Sequence, residues 1–263
     1  MFESIILGAV QGLTEWLPIS SEGMIVLVKT NFFGGGGLED IIKTALFLHL
    51  GTFLAALIYF RKDVSNLFSR LFGKNKGEAE TGKILKFLII ATLVSGVIGF
   101  GFLKLLDAVG DQFLLTSTLV NLFVALLLVI TGVLQLKAKK EGQKNASELK
   151  TSDGITLGIV QGFSAMPGLS RSGLTVSALL LKNFKDNESL RLSFLMSLPI
   201  VLAGNILLNL NQSLLSLNNL AALFTSFVFG YLTIHLLIRL AKKINFGYFV
   251  LVFAGLLILS VFI

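Results

Sequence analysis

The 263-residue chain has no cysteine, three prolines and one tryptophan, and charged residues make up only 14% of it. Without cysteine, disulfides, cysteine metal sites and thiol catalysis are excluded. The low charge is equally informative, because a soluble domain carries about 25% charged residues. These absences indicate a protein whose surface does not mainly face water.

Hydrophobic residues make up 54% of the chain, and its mean hydropathy is +0.84. Several apolar runs exceed the roughly 18 residues that indicate a membrane-spanning helix. The eight runs lie at 1–28, 44–60, 84–103, 112–136, 154–181, 192–209, 217–238 and 246–263. We therefore expect an all-α polytopic protein of the plasma membrane that folds as a single membrane domain over 1–263. The net charge of +7 then reflects basic cytoplasmic loops, and no nucleic-acid partner is expected.

A segment near the N-terminus recurs in the second half of the chain. Ile5–Val26 aligns with Ile155–Val176 without a gap, and nine of the 22 positions are identical. Such self-similarity indicates a duplicated unit. We expect a first repeat at 1–136 and a second at 154–263, each made of one hairpin and three spans.

The two repeated runs, 1–28 and 154–181, are broken where a straight span should be continuous. Pro18 interrupts the first, and Pro167 with Gly168 interrupts the second; both residue types weaken a helix. Non-helical backbone at membrane depth survives only when it is buried in protein or faces a watery cavity. We therefore predict six transmembrane helices plus two re-entrant helical hairpins. Because three spans separate the hairpins, they enter from opposite faces, which makes an inverted-topology repeat.

Basic residues concentrate on one side of this topology. Of the 22 Lys and Arg residues, 17 fall in four segments on the same face: 61–83, 137–153, 182–191 and 239–243. The positive-inside rule makes that face cytoplasmic. The hairpin at 1–28 then enters from outside, and both termini lie outside.

The first tip carries a carboxylate in the middle of an apolar run. Gln11 and Glu15 are four residues apart, so they share one helix face. A carboxylate at the bilayer centre costs roughly 3 kcal/mol on translocon scales, so Glu15 should point into a polar cavity. The alternative is that Glu15 lies near the outer interface or simply pairs with Arg171.

The second tip places an arginine between two hydroxyls just after a Pro-Gly break. Ser170, Arg171, Ser172 and Thr175 lie at an expected helix start, where backbone N–H groups attract phosphate. The guanidinium adds a bidentate clamp, and the hydroxyls add donors. This tip predicts an oxyanion site, with a helix cap and a structural ion pair as the alternative.

The chain has two histidines, His49 and His235. Each sits on an apolar span without a repeat partner or a metal-ligand spacing. We interpret both as hydrogen-bonded packing residues.

The two tips resemble the signatures of the BacA/UppP family, the membrane undecaprenyl-diphosphate phosphatases. The family's first motif, Glu or Gln, three residues, Glu and then a Pro-x-Ser-Ser stretch, is met at 11–21. Its second motif, Pro-Gly-x-Ser-Arg-Ser-x-x-Thr, is matched in full at 167–175. The resemblance covers the whole chain.

The resemblance implies hydrolysis of undecaprenyl or another polyprenyl diphosphate to the monophosphate, which recycles the lipid carrier for cell-envelope glycan synthesis. It also implies a divalent cation, for which we expect Mg²⁺ or Ca²⁺. The expected catalytic residues are Glu15, Ser21 and Arg171. The expected substrate-binding residues are Gln11, Ser20, Gln161, Ser170, Ser172 and Thr175. The expected metal ligands are Glu15, Gln11 and Glu22.

The chain departs from the family pattern just after the Ser-Ser pair. The family commonly has a His there, whereas this chain has Met24, with Glu22 at the variable position before it. A mechanism that uses that His cannot operate here. The nucleophile is then Ser21, activated by a carboxylate such as Glu15, or a metal-bound water. Glu22 either replaces the lost function or is a solvated residue at the cavity mouth.

Other functions compete with this interpretation. Broken helices in inverted repeats are also typical of transporters, so a polyprenyl-phosphate flippase or another lipid or anion transporter is the alternative. A purely structural role is a poor explanation for duplicated hairpins that carry an arginine and a glutamate. The expected partners are the polyprenyl diphosphate, membrane lipids and, as one option, a second copy of the chain in a homodimer. The sequence leaves open whether the carrier pathway is bacterial or archaeal.

Overall fold

The structure is a computed structural model that describes residues 1–17, 20–34, 38–73, 79–110, 117–137, 142–166, 169–209, 216–241 and 246–259. Within these residues the secondary structure is helical, apart from one isolated bridge between Lys144 and Phe184. The helices are α1 Phe2–Thr14, α2 Ser21–Phe32, α3 Leu38–Tyr59, α4 Arg61–Leu71, α5 Ala79–Gly110, α6 Ser117–Lys137, α7 Thr151–Phe163, α8 Arg171–Leu181, α9 Asp186–Asn209, α10 Leu217–Ala241 and α11 Phe246–Leu259, with a 3-10 turn at Ala146–Glu148. The all-α prediction is confirmed for this part of the chain.

Four of these helices contain a stretch that is long and apolar enough to cross a membrane. They are α3 at Asp40–Tyr59, α5 at Ala79–Phe102, α9 at Asp186–Leu207 and α10 at Leu217–Leu236. Large apolar side chains on them point outward, with Val97 76% and Leu232 66% exposed. Such exposure is unfavourable in water but not against lipid tails, which are as apolar as leucine. The chain is therefore a multi-pass membrane protein.

The repeated segments form the same local structure twice. α1 and α2 make one helix–break–helix unit, and α7 and α8 make the other. Ser20 caps α2 by accepting a hydrogen bond from the backbone N–H three residues on, at 3.0 Å, and Ser170 caps α8 in the same way at 3.1 Å. Such caps satisfy donors that a helix start would leave unpaired. Pro18, Pro167 and Gly168, from which the breaks were predicted, lie outside the described residues.

Each hairpin packs its first helix against the other half of the chain. α1 packs against α10, and α7 packs against α5, while α2 packs against α3 and α8 against α9. Repeated glycines permit the close approach, since a Cβ at Gly12 would lie 2.7 Å from the backbone nitrogen of Gly230. A Cβ at Gly162 would lie 2.6 Å from Cβ of Ile98. Small residues at such crossings are typical of membrane helix pairs, and here they bring both tips against the α3–α9 pair.

Three of the four basic segments, 61–83, 137–153 and 182–191, contact one another. Arg191 Nη2 lies 2.5 Å from Asp63 Oδ1, and Lys182 Nζ lies 3.0 Å from Asp153 Oδ1. Lys83 Nζ donates to the Ser147 carbonyl at 2.5 Å. These contacts join the segment after α3, the segment before α7 and the segment after α8.

The segment at 61–83, which the sequence predicts only as a basic loop, begins with α4. Val64, Leu67, Phe68 and Leu71 recur at the spacing of one helix face. Val64 and Leu67 pack against the main core, whereas Phe68 and Leu71 are each 55% exposed. An amphipathic helix of 11 residues is too short and too polar to register as an apolar run, so the hydropathy pattern missed it.

Candidate active site

Glu15 follows the last turn of α1 and is 4% exposed. One turn earlier lies Gln11, which is fully buried and whose Nε2 donates to Glu15 Oε2 at 2.7 Å. The shared face expected from their spacing is confirmed. A buried carboxylate is tolerated only when other groups donate to it, so its remaining partners define the site.

Three more donors reach Glu15, each from a different helix. Ser21 Oγ donates to Oε2 at 2.9 Å, and His49 Nε2 lies 3.1 Å from the same oxygen. Arg171 Nη2 pairs with Oε1. Arg171 and Glu15 therefore form the ion pair that the sequence offered as an alternative, but the pair also brings Ser21 and both tips to one point.

Arg171 is the first residue of α8 and is held between two hydroxyls. Ser170 Oγ and Ser172 Oγ lie 3.3 Å apart, and Ser172 also donates to the Leu17 carbonyl at 2.9 Å, which ties the second tip to the first. The Arg171 side chain is 14% exposed. Its Nη1 is buried and has no hydrogen-bond partner in the described part of the chain. A buried guanidinium nitrogen that lacks an acceptor can donate a hydrogen bond to a bound ligand.

These groups line a cavity of about 180 Å³, several times the roughly 30 Å³ that one water occupies in the liquid. Its polar lining includes Glu15, Ser21, Glu22, His49, Ser170 and Arg171. Its apolar lining comes from α3, α5 and α9 and includes Ile42, Leu46, Gly96, Gly99, Ile200 and Ala203. The cavity is therefore amphiphilic.

The remaining predicted binding residues fall into two groups. Ser20, Gln161 and Ser172 line the cavity, and Gln161 Nε2 donates to Ser95 Oγ at 3.1 Å. Gln11 and Thr175 lie behind its wall. The Thr175 hydroxyl donates to the Arg171 carbonyl at 2.7 Å and bonds a serine hydroxyl of α9 at 2.6 Å. These two residues thus support Glu15 and Arg171 instead of lining the cavity with them.

The predicted metal ligands differ in how well they fit a cation. Within the described residues, no three His, Cys, Asp or Glu side chains are grouped as a metal site. The oxygens of Glu15 already accept from four groups, and Gln11 turns its amide nitrogen toward Glu15. Glu22 lines the cavity, and its carboxylate is close enough to His49 and Arg171 to interact with both electrostatically. Of the three, Glu22 is the carboxylate best placed to hold a hard cation, and the ligand roles of Glu15 and Gln11 stay predictions.

His49 is the site residue that the sequence missed. Its interpretation as a packing residue is incomplete, because its ring bonds the Ala45 carbonyl at 2.7 Å and also reaches Glu15. Met24, at the position of the family's His, packs instead in a hydrophobic cluster with Leu17 and Leu27. The signal that could have found His49 is its ionisable ring on an apolar span, which marks a functional residue by default.

Comparisons with known proteins place this geometry in context. The model of the family described as "Bacitracin resistance protein BacA" matches residues 4–259. The undecaprenyl-diphosphatase of Methanococcoides burtonii is 41% identical, over 99% of this chain and 98% of the relative. The undecaprenyl-diphosphatase of Haloarcula marismortui is 38% identical over 96% and 94% of the two chains, and that of Caldicellulosiruptor bescii is 34% identical over 94% and 91%.

Proposed function

The chain belongs to the bacitracin resistance protein BacA family, and we propose that it hydrolyses undecaprenyl diphosphate to the monophosphate and phosphate. One observation carries the proposal. Arg171, Ser21 and Glu15 stand together in a cavity that is also lined by apolar residues of α3, α5 and α9. A lipid with a diphosphate headgroup has the same division into a charged and an apolar part.

The headgroup is gripped by Arg171 and the start of α8. The guanidinium can present two parallel N–H donors to phosphate oxygens, and its buried Nη1 has no other partner in the described residues. Ser170 and Ser172 flank it in the sequence, and Arg171 stands at the start of α8, where backbone N–H groups favour phosphate. Phosphoryl transfer is catalysed mainly by positioning and charge stabilisation, and these groups supply both.

Ser21 is the nucleophile, and Glu15 is its base. The Ser21 hydroxyl donates to Glu15 Oε2 at 2.9 Å, which is the geometry of an activated nucleophile. When Oγ bonds the terminal phosphorus, its proton passes to Oε2. The bond from that phosphorus to the bridging oxygen then breaks, and its electron pair leaves with the inner phosphate. A water oxygen then bonds the phosphorus while the bond from phosphorus to Oγ breaks. The released phosphate keeps the protons of that water, and Oγ takes its proton back from Glu15.

A divalent cation would be held by Glu22 together with oxygens of the diphosphate. Mg²⁺ is commonly bound by one or two carboxylates plus substrate phosphates, and Glu22 is a carboxylate that lines the cavity. Such a cation supplies charge neutralisation of the headgroup. Glu22 itself positions that end of the substrate near the start of α2.

We expect the apolar lining of the cavity, from α3, α5 and α9, to hold the first isoprene units of the substrate. Leucine at Gly99 should raise KM for a long-chain substrate about tenfold, because one misfitting apolar group costs roughly 1–3 kcal/mol. The nearest atom to a Cβ at Gly99 is 3.7 Å away, so the backbone tolerates the change. Gly101→Leu is the matched control, since Gly101 lies on the same helix and a Cβ there meets nothing within 4 Å. Equal KM values in both variants, measured with a long-chain diphosphate, would place the prenyl chain elsewhere.

The finer topology is part of the proposal. Six transmembrane helices and two re-entrant hairpins form inverted repeats over 1–136 and 154–263, and the exchanged packing of α1 on α10 and α7 on α5 supports this arrangement. The site opens to the outer face of the plasma membrane. Gly99 follows Lys83 by 16 residues along α5, or about 24 Å of helix, which supports a cavity far from the basic segments. The homodimer stays a prediction.

The test is phosphate release by detergent-purified protein from a long-chain prenyl diphosphate. We expect release that EDTA suppresses and added Mg²⁺ restores. Glu22→Gln should raise the Mg²⁺ concentration that gives half-maximal rate by roughly 10- to 100-fold, the range typical when a group that supports a bound metal is removed. An unchanged Mg²⁺ dependence would contradict the role of Glu22.

The flippase alternative has no support in the comparisons; it would predict lipid movement across proteoliposomes without phosphate release.

A further inference from the structure

His49 lies on the inner face of α3, with Ala45 one turn before it and Thr52 three residues after it. All three are nearly inaccessible, at 5%, 0% and 1% exposed. The ring Nδ1 lies 2.7 Å from the Ala45 carbonyl, and Nε2 lies 3.1 Å from Glu15 Oε2. Both edges of the ring are thus engaged, one by its own helix and one by the carboxylate of the site.

The partners fix where the ring protons are. A carbonyl oxygen can only accept, so Nδ1 donates to Ala45. Glu15 Oε2 also accepts from Gln11 and Ser21, and His49 Nε2 faces the same oxygen at 3.1 Å. His49 therefore links α3 to one chosen oxygen of Glu15.

We propose that His49 is a positioning residue of the reaction, which holds Glu15 Oε2 in place to accept the proton of Ser21. The inference rests on the proposed function. A bidentate grip on the diphosphate uses Nη2 of Arg171 as well as Nη1, and Nη2 is the nitrogen that pairs with Glu15 Oε1. As Nη2 turns to a phosphate oxygen, Glu15 gives up the partner of Oε1, and the groups on Oε2 keep the carboxylate facing Ser21. Apart from Ser21 itself, His49 is the group on that oxygen that comes from another helix, α3, where it is anchored by its bond to Ala45.

Two amide variants separate this role from simple packing. Asparagine at 49 reaches the position of Nδ1, so His49→Asn keeps the bond to Ala45 but loses the donor to Glu15. Glutamine reaches the position of Nε2, so His49→Gln keeps a donor to Glu15. His235→Leu is the matched control, because His235 contacts Tyr59 at 3.2 Å and does not line the cavity.

The experiment measures kcat and KM for phosphate release together with thermal unfolding. For His49→Asn we expect kcat to fall roughly 10- to 100-fold, the range seen when an outer partner of a functional group is removed, with KM within about threefold of wild type. His49→Gln should recover most of kcat, and His235→Leu should match wild type. In the background of Glu15→Gln, His49→Asn should cause no further loss, because residues that act as a unit are non-additive.

Three results would overturn the proposal. They are a His49→Asn variant with near wild-type kcat, a His49→Gln variant as slow as His49→Asn, and independent losses that multiply in the double variant. Each is measured against the wild-type protein. If wild type itself releases no phosphate, the proposed function fails instead, so the two failures are distinguishable.

Discussion

Replacing Arg171 with alanine is expected to lower the rate of phosphate release roughly 10³-fold or more, and replacing it with lysine about 10²-fold. An arginine that stabilises charge on a transferring phosphoryl group is worth 10³–10⁵ in kcat. Lysine keeps the charge, but a point charge cannot reproduce a planar, bidentate fork. The side chain of Arg171 also pairs with Glu15, so the alanine variant leaves a buried carboxylate without its cation.

That second effect requires a control for stability. Breaking a buried ion pair costs about 3–5 kcal/mol, which could lower activity by unfolding. Arg191→Lys is the matched control, because Arg191 also pairs with carboxylates, in the basic segments and outside the cavity. Thermal unfolding and kcat are measured for both lysine variants. Near-normal turnover in Arg171→Lys would contradict the bidentate grip on the diphosphate.

The two tips could be predicted from the sequence because their signals are local. A proline or glycine in an apolar run marks a break, and a serine at a helix start satisfies nearby N–H groups. Both signals occur twice at a fixed offset. The structure shows Ser20 and Ser170 as the caps of α2 and α8, and Glu15 pairs with Arg171 where the two tips converge.

His49 and the bonding of Glu15 could not be predicted in the same way. A histidine on an apolar helix has no local partner pattern, and only the rotation of α3 against α1 and α2 turns it toward Glu15. The number of donors on one carboxylate likewise depends on four helices at once. The sequence therefore carries no sign that protein donors surround the oxygens of Glu15, and its role as a metal ligand stays a prediction.

The packing of Glu15 explains how the catalytic groups are preorganised. The carboxylate joins α1, α2, α3 and α8 through donors from each. In surroundings of low dielectric these bonds are stronger than in water, and leaving any donor out is costly. One buried charge therefore fixes both the fold of the two tips and the direction of the Ser21 hydroxyl.

Ser21→Ala is expected to lower kcat roughly 10³-fold or more, since removing the nucleophile leaves only the binding and electrostatic part of catalysis. The hydroxyl donates to Glu15 Oε2 at 2.9 Å and lines the cavity at the start of α2. The α2 dipole favours negative charge at this point, as develops on the attacked phosphoryl group. Rapid acid quench of wild type during turnover should then yield phosphate bound to Ser21, detected by mass spectrometry.

Ser197→Ala provides the matched control for this variant. Ser197 is buried on α9, where its hydroxyl donates to the Phe194 carbonyl at 2.6 Å, and it does not line the cavity. It should retain wild-type kcat. If Ser21→Ala instead keeps its rate within about tenfold of wild type and no phosphoserine is trapped, water attacks the phosphorus directly. Glu15 would then act on that water, and the bond from Ser21 would serve only to orient the carboxylate.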